Sequence, residues 1–240
     1  MAVCDFFGDG SGLIYSKLDG NLVNECTSGP VGSWVGTEEY CTTPSGQGAC
    51  NFYNNGPAKV EYVLPALGTV NTMSCWFMMP SSATDISSET VIGLELATDR
   101  VKTTINNMTI EYQGLGSSET PLEFDRWYMT TVVFNNDTHS FYVDGLLIDS
   151  GAGDIVTPSM FNIGNFGASG IADSRGSEGV IDEARFFTKA LTDAEVLELY
   201  ESHEAANKPM FGDVEVSNFM VGDTQVDKVM VGDTELWSLT

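Results

Sequence analysis

Basic residues are scarce in this chain: 10 Lys and Arg stand against 34 Asp and Glu in 240 residues, a net charge of −24. Such a surface repels phosphate backbones and anionic membranes, so nucleic acid is excluded as the expected partner. The excess acid reads as a solvated coat suited to salty surroundings rather than as a cation site. No apolar run is long enough to cross a bilayer, and the N-terminus lacks the basic region that opens a secretion signal. Histidine is limited to His139, just after a predicted hairpin turn, and His203, on the exposed end of a predicted helix, too thin a set for a zinc site. There is no G-x-S-x-G elbow to carry a nucleophile. Five cysteines, Cys4, Cys26, Cys41, Cys50 and Cys75, cannot all pair, and none is spaced C-x-x-C. Cys75 sits in an apolar stretch as a small hydrophobe. A reduced, cytosolic origin is the simpler expectation, with a bridge among Cys26, Cys41 and Cys50 left open.

What is present is a β pattern. Short apolar runs at 12–18, 49–52 and 59–64 are separated by long Gly, Ser, Asn and Pro-rich loops. Longer runs follow at 73–79, 90–96, 108–112 and 127–134. The turn Asn135-Asn136-Asp137-Thr138 leads into 139–143, and Asp144-Gly145 reverses the chain into 146–148, a strong hairpin signal because both central residues tolerate positive φ. In 179–187, Val180, Ala184 and Phe186 alternate with Ile181, Glu183, Arg185 and Phe187, as in a pleated strand. Thr192 and Glu195 then form a capping box, and Val196, Leu199 and Tyr200 follow at helical spacing. Many short strands, frequent turns and one short helix predict an all-β antiparallel sandwich.

These residues also carry a resemblance. Gly179-x-Ile181-Asp182-Glu183-x-Arg185, then Ala190-Leu191-Thr192-x-x-Glu195-x-x-x-Leu199-Tyr200, resembles the closing signature of laminin-G-like, concanavalin A-like jelly rolls. Met73-Ser-Cys-Trp76-Phe77-Met-Met-Pro80, Trp127 to Phe134, Tyr142-Val-Asp144-Gly145 and Ile163-Gly164 match in order, so the likeness covers roughly five-sixths of the chain. It implies a concanavalin A-like jelly roll over 1–204. It places Asp182 in the closing strand as a structural hydrogen-bonding group. Glucanases of this fold carry carboxylates at alternate positions of one strand. Glu123-Phe124-Asp125 is the nearest match here, but Arg126, Trp127, Tyr128 and Met129 stand where the further acid belongs. No catalytic residue is therefore expected, and no enzyme. Relatives that hold calcium at the rim suggest Asp99, Asn106, Asn107, Asp137 and Asp173 as candidates, although solvated loops explain them more simply. Glycan recognition needs loop aromatics, and Trp34, Tyr40, Tyr53 and Phe166 are the candidates, equally readable as small local cores.

Residues 205–240 form a linker followed by a ten-residue repeat: Met210-Phe-Gly212-Asp213, Met220-Val-Gly222-Asp223 and Met230-Val-Gly232-Asp233, ending on Trp237. Each Gly-Asp is expected to reverse a strand, giving a small antiparallel meander. Three short strands bury too little to stand alone. Phe219, Val221, Val229, Met230, Val231 and Trp237 are thus expected to pack on the sandwich, on copies of the tail or on another protein, with oligomerisation or anchoring preferred. The ending resembles those of tailed-phage virion proteins that carry laminin-G-like modules. The resemblance implies a virion accessory protein, a capsid decoration, head fibre or tail-associated protein, whose partners are other virion proteins, copies of itself as a trimer, and a glycan. The alternatives are a non-viral carbohydrate-binding module and a laminarinase-like hydrolase.

Overall fold

The computed structural model describes residues 4–42, 48–52, 58–83, 88–94, 99–104, 109–115, 118–165 and 179–207, and strand pieces between 210 and 238. The chain divides into a compact unit, Met1–Leu197, and a second unit, Glu198–Thr240. In the first unit the strands are β1 (Gly12–Ser16), β2 (Gly32–Val35), β3 (Tyr40–Thr42), β4 (Gly48–Asn51) and β5 (Lys59–Val63). They continue as β6 (Val70–Met78), β7 (Ser88–Gly93), β8 (Arg100–Thr104), β9 (Thr109–Tyr112) and β10 (Ser118–Pro121). The last five are β11 (Trp127–Asn135), β12 (Thr138–Val143), β13 (Leu146–Ala152), β14 (Met160–Ile163) and β15 (Val180–Phe187). Helix α1 (Asp193–Asn207) follows.

Two antiparallel sheets result. Sheet A has the order β13-β12-β11-β6-β15-β4-β3, with β1 also on β15, and sheet B has the order β10-β9-β8-β7-β14-β5-β2. Alternate residues of the central strands meet between the sheets: Met73, Cys75 and Phe77 of β6 and Val132 and Phe134 of β11 face Val60 and Tyr62 of β5 and Phe161 of β14. Each such large side chain contributes roughly 1.5–3 kcal/mol on burial.

The alternation expected along β15 shifts phase midway. Pairing with β6 slips between Asp182 and Arg185, and Glu183 sits at φ 48°. Ile181 therefore shares the core face with Ala184 and Phe186. The bulge inserts a residue and turns the strand over by one step. It also lets one edge of β15 serve two strands, Val180 and Ile181 pairing with β4 and Ala184 to Phe187 with β1. At α1 the expected capping box is present: the Thr192 amide donates to Glu195 Oε2 at 2.9 Å and the Glu195 amide donates to Thr192 Oγ1 at 3.3 Å.

Polar-tipped aromatics cross between the sheets near both sides of the sandwich. On one side, Trp34 Nε1 of edge strand β2 donates to Tyr40 Oη of edge strand β3 at 3.1 Å. On the other, Tyr112 Oη of β9 lies 2.8 Å from His139 Nδ1 of β12, and His139 Nε2 lies 2.8 Å from the Asp154 carbonyl. A carbonyl only accepts, so Nε2 donates to Asp154, while Nδ1 and the Tyr112 hydroxyl share the second hydrogen bond. His139 is fully buried and is a cross-sheet strut, not an accessible base. A Cβ on Gly153 would lie 2.4 Å from that ring nitrogen. Gly153→Ala is expected to push the imidazole off both partners and cost about 1–3 kcal/mol, read as a lower urea midpoint with an unchanged slope.

In the second unit the strands are β16 (Met210–Phe211), β17 (Val214–Glu215), β18 (Met220–Val221), β19 (Thr224–Gln225), β20 (Lys228–Val231) and β21 (Thr234–Ser238). Phe211 pairs with Val214, Val221 with Thr224 and Val231 with Thr234, so each Gly-Asp pair separates two partnered strands. Among the described residues these strands pair as three two-stranded sheets. A two-residue turn closes its own hairpin at the least entropic cost, whereas joining hairpins needs longer closures. Val221, Val229, Met230, Val231 and Trp237 lie on these strands, and Phe219 lies outside the described residues.

Candidate functional site

The two outer faces of the sandwich differ. On sheet A, the N-terminal segment and the start of α1 close over the strands: Leu191 and Val196 are buried, Tyr142 Oη donates to Asp193 Oδ1 at 2.8 Å, and Phe7 packs on Phe187. On sheet B, period-two alternation sends polar residues outward from five neighbouring strands. Val60 and Tyr62 enter the core, so Lys59 and Glu61 point away from it. The same rule places Asn162 of β14, Thr90 of β7, Arg100 and Lys102 of β8, and Thr109 and Glu111 of β9 on that face. Three of the ten basic residues gather here in a chain that is otherwise overwhelmingly acidic.

These groups are held by one another. Lys59 Nζ lies 3.0 Å from Glu61 Oε2 and donates to Asn162 Oδ1 at 3.0 Å, while Asn162 Nδ2 donates to the Leu94 carbonyl at 3.0 Å. Arg100 Nη1 donates to Thr90 Oγ1 at 2.8 Å. Lys102 Nζ lies 2.7 Å from Glu111 Oε2, and Thr109 Oγ1 donates to Glu111 Oε1 at 3.1 Å. Lys59, Asn162 and Thr90 are fully buried, and the Lys102 side chain, 13 % exposed, is the most open of the paired charges. Charges fixed in pairs at low dielectric form a rigid, directional array. Sequence reading missed this face. Its signal was the alternation in Lys59-Val-Glu-Tyr, Arg100-Val-Lys and Thr109-Ile-Glu-Tyr.

The residues singled out from sequence are differently disposed. Trp34 and Tyr40 do come together, ring centroids 5.8 Å apart and nearly perpendicular, with Trp34 also 5.3 Å from Phe52. They are half-buried against the core, and desolvation pushes the Tyr40 hydroxyl up to about 12. Tyr53 and Phe166 lie outside the described residues, as do Asn106, Asn107 and Asp173. Asp99 is not a solvated loop residue: it is buried, and its carbonyl accepts the Leu94 amide at 2.9 Å. Asp137 is exposed in the β11–β12 turn. Among the described residues no three His, Cys, Asp or Glu side chains are grouped to hold a metal.

Glu123 and Asp125 occupy the turn before β11. Asp125 sits at φ 59° and its Oδ1 accepts the Ser81 amide at 2.9 Å; hydrogen bonding from the Ser81 side chain first, then from that amide, holds the carboxyl below its usual value. The Glu123 side chain is 71 % exposed and only 3.8 Å from Arg126. Asp182 is buried on β15, where Oδ1 accepts the Glu183 amide at 2.8 Å. Burial first, then the charges of Glu183 and Asp19, push its carboxyl up to about 8. Glu183 is engaged by Tyr15 Oη at 3.2 Å and Arg185 Nη2 at 3.3 Å. The cysteine expectation is corrected: Cys26 is bridged to Cys4, while Cys41, Cys50 and Cys75 are free thiols. The pairing needs the N-terminal segment to fold back over β1, which spacing alone does not reveal.

No curated protein sequence matches this chain. Domain 4 of AbnA, a GH43 extracellular arabinanase from Geobacillus stearothermophilus, in complex with arabinotriose, is similar at TM-score 0.57 and 16 % identity, over 78 % of this chain and 97 % of that one. The receptor binding domain of botulinum neurotoxin mosaic serotype C/D is similar at TM-score 0.58 and 16 % identity, over 83 % of this chain and 52 % of that one. Trypanosoma rangeli sialidase is similar at TM-score 0.61 and 14 % identity, over 80 % of this chain and 32 % of that one. At these identities the likeness is one of fold. A family model, described as the concanavalin A-like lectin/glucanases superfamily, matches residues 43–197. The two-sheet jelly roll and that match over more than half of the sequence agree, and the chain belongs to the concanavalin A-like lectin/glucanase superfamily.

Proposed function

We propose that this chain is a non-enzymatic, lectin-like module that binds a glycan on the outer face of sheet B. The observation that carries this reading is the array of paired, largely buried polar groups from Lys59 across to Glu111, on the side of sheet B that points away from the core. Fixed amides, hydroxyls and ion pairs suit the hydroxyl groups of a sugar, and a face several strands wide suits a chain of sugars better than a single ring. The similarity to a domain in complex with arabinotriose supports the ligand class. Against catalysis, Glu61 and Glu111 lie on β5 and β9 with three strands between them, roughly 19 Å at the usual strand spacing. Glycoside hydrolysis needs its two carboxyls within about 5–9.5 Å.

The setting we propose is a tailed-phage virion, with the three tail hairpins anchoring the module to other virion proteins or to copies of itself as a trimer. The Gly-Asp repeat supports it, because such short hairpins need further pairing to persist. A free-standing bacterial carbohydrate-binding module is the second reading, favoured by the 97 % coverage of the arabinanase domain. A native mass measurement separates them: the virion reading expects a trimer that is lost when residues 210–240 are removed.

Ligand binding is tested by titrating soluble linear glycans, arabino-oligosaccharides first, into the full chain by calorimetry. Lys102→Met is expected to weaken binding at least about tenfold, since it removes the most open charge of the array. Trp34→Leu, which loosens a sheet edge, is expected to lower stability and spare affinity. Unchanged affinity in Lys102→Met, or no affinity for any glycan at millimolar concentration, sinks the proposal.

A further inference from the structure

Residues 4–11 form a strap over one end of the outer face of sheet A. Phe7 lies against Phe187, ring centroids 5.6 Å apart, and Arg185 stands 5.6 Å over the Phe6 ring. The Thr188 amide donates to the Ser11 carbonyl at 2.9 Å, and Lys189 Nζ reaches both Asp9 and the Phe7 ring. These contacts are weak individually: Phe6 and Phe7 are only half-buried, and the Asp9 side chain is 41 % exposed. A second covering lies along the edge of β1 that faces away from β15. There the Asn24 side chain accepts the Tyr15 amide at 3.1 Å and donates to the Leu13 carbonyl at 3.1 Å, and the Glu25 amide donates to the Tyr15 carbonyl at 2.8 Å. The Cys4–Cys26 bond joins strap to edge cover. Neither cysteine belongs to the core cluster between the sheets.

We infer that the Cys4–Cys26 bond is a redox latch on this strap, closed and opened by thiol–disulfide exchange while the sandwich stays folded. Cys4 is half-buried and Cys26 buried, so exchange begins at Cys4. To open the latch, one thiolate of a dithiol bonds to Cys4 Sγ, the S–S bond breaks, and Cys26 leaves as a thiolate that takes up a proton. The second thiol of the reductant then displaces Cys4, and the reductant departs as its own disulfide. A small disulfide such as oxidised glutathione closes the latch by the reverse exchange, releasing two thiols. Reduced, the strap is held only by its surface contacts and opens locally, baring Phe187 and the edge of β1. Cys41, Cys50 and Cys75 stand aside, because burial raises all three thiols and leaves little thiolate.

The test uses the full chain prepared in excess dithiothreitol and, separately, equilibrated with oxidised glutathione. In the oxidised sample three of five thiols are expected to react with Ellman's reagent after denaturation, and all five in the reduced sample. Chymotrypsin cleavage after Phe6 and Phe7, read by mass spectrometry after final reduction, is expected to be at least about tenfold slower in the oxidised sample, with near-ultraviolet circular dichroism the same in both. Cys26→Ser is expected to be cleaved fast under both conditions. Five reactive thiols after oxidation, equal cleavage rates, or loss of the folded signal on reduction would each overturn the latch, the last because the bond would then be holding the sandwich itself.

Discussion

Asp182→Asn is expected to stabilise the protein at alkaline pH by several kcal/mol and to leave it nearly unchanged below pH 4. The Asp182 carboxyl is pushed up to about 8, chiefly by burial, against 3.8 for an ordinary aspartate. Between those values the folded chain keeps a proton that the unfolded chain releases. Unfolding therefore liberates a proton, and stability falls as pH rises from about 4 to about 8, then levels off. At roughly 1.4 kcal/mol per pH unit the whole effect is on the order of 6 kcal/mol. Asparagine keeps an oxygen to accept the Glu183 amide and carries no proton to lose. Urea melts of both proteins at pH 4.5 and pH 8.5 check this: the gap between them must widen with pH, and a constant gap means that Asp182 is ionised in the folded chain.

Lys59→Met is expected to cost about 3–5 kcal/mol, lowering the thermal midpoint by roughly 10 °C. Lys59 is fully buried and its ammonium stands 3.0 Å from Glu61, whose side chain is 6 % exposed. Removing the cation leaves a buried carboxylate without its neighbouring positive charge and takes a donor from Asn162. The pair Lys59→Met with Glu61→Leu is expected to recover most of the loss, because both desolvated charges go together. That double variant separates architecture from recognition. A folded, stable sandwich that no longer binds glycan assigns the ion pair to the ligand face. Full affinity in the stable double variant restricts the pair to holding sheet B together.

Some of the architecture was legible in the chain. Thr192 and Glu195 announced the helix start, and the three Gly-Asp pairs announced three reversals, because capping and tight turns depend on residues only a few positions apart. The central runs around Met73 and Trp127 read as strands for the same local reason. Where a backbone irregularity intervened, the reading failed: the bulge at Glu183 moved Ile181 to the core face and reversed the assignment of the first half of β15. The loop aromatics were open to two readings for a related reason. Trp34 and Tyr40, in Gly-rich stretches, read equally well as exposed sugar platforms, yet each ends on the edge strand of a different sheet and satisfies the other's polar tip.

The sequence by itself determined the class of fold, the acidic surface, the absence of a hydrolase carboxylate pattern and the repeat in the tail, since each rests on composition or on short-range periodicity. Only the tertiary structure decided that Cys4 meets Cys26, that His139 is sealed between the sheets, and that Lys59, Asn162, Thr90, Lys102 and Glu111 share one face. Those outcomes depend on strand order. Sheet B sets β14 between β5 and β7, bringing residue 162 beside residue 59, and no local pattern encodes which distant strand will become a neighbour.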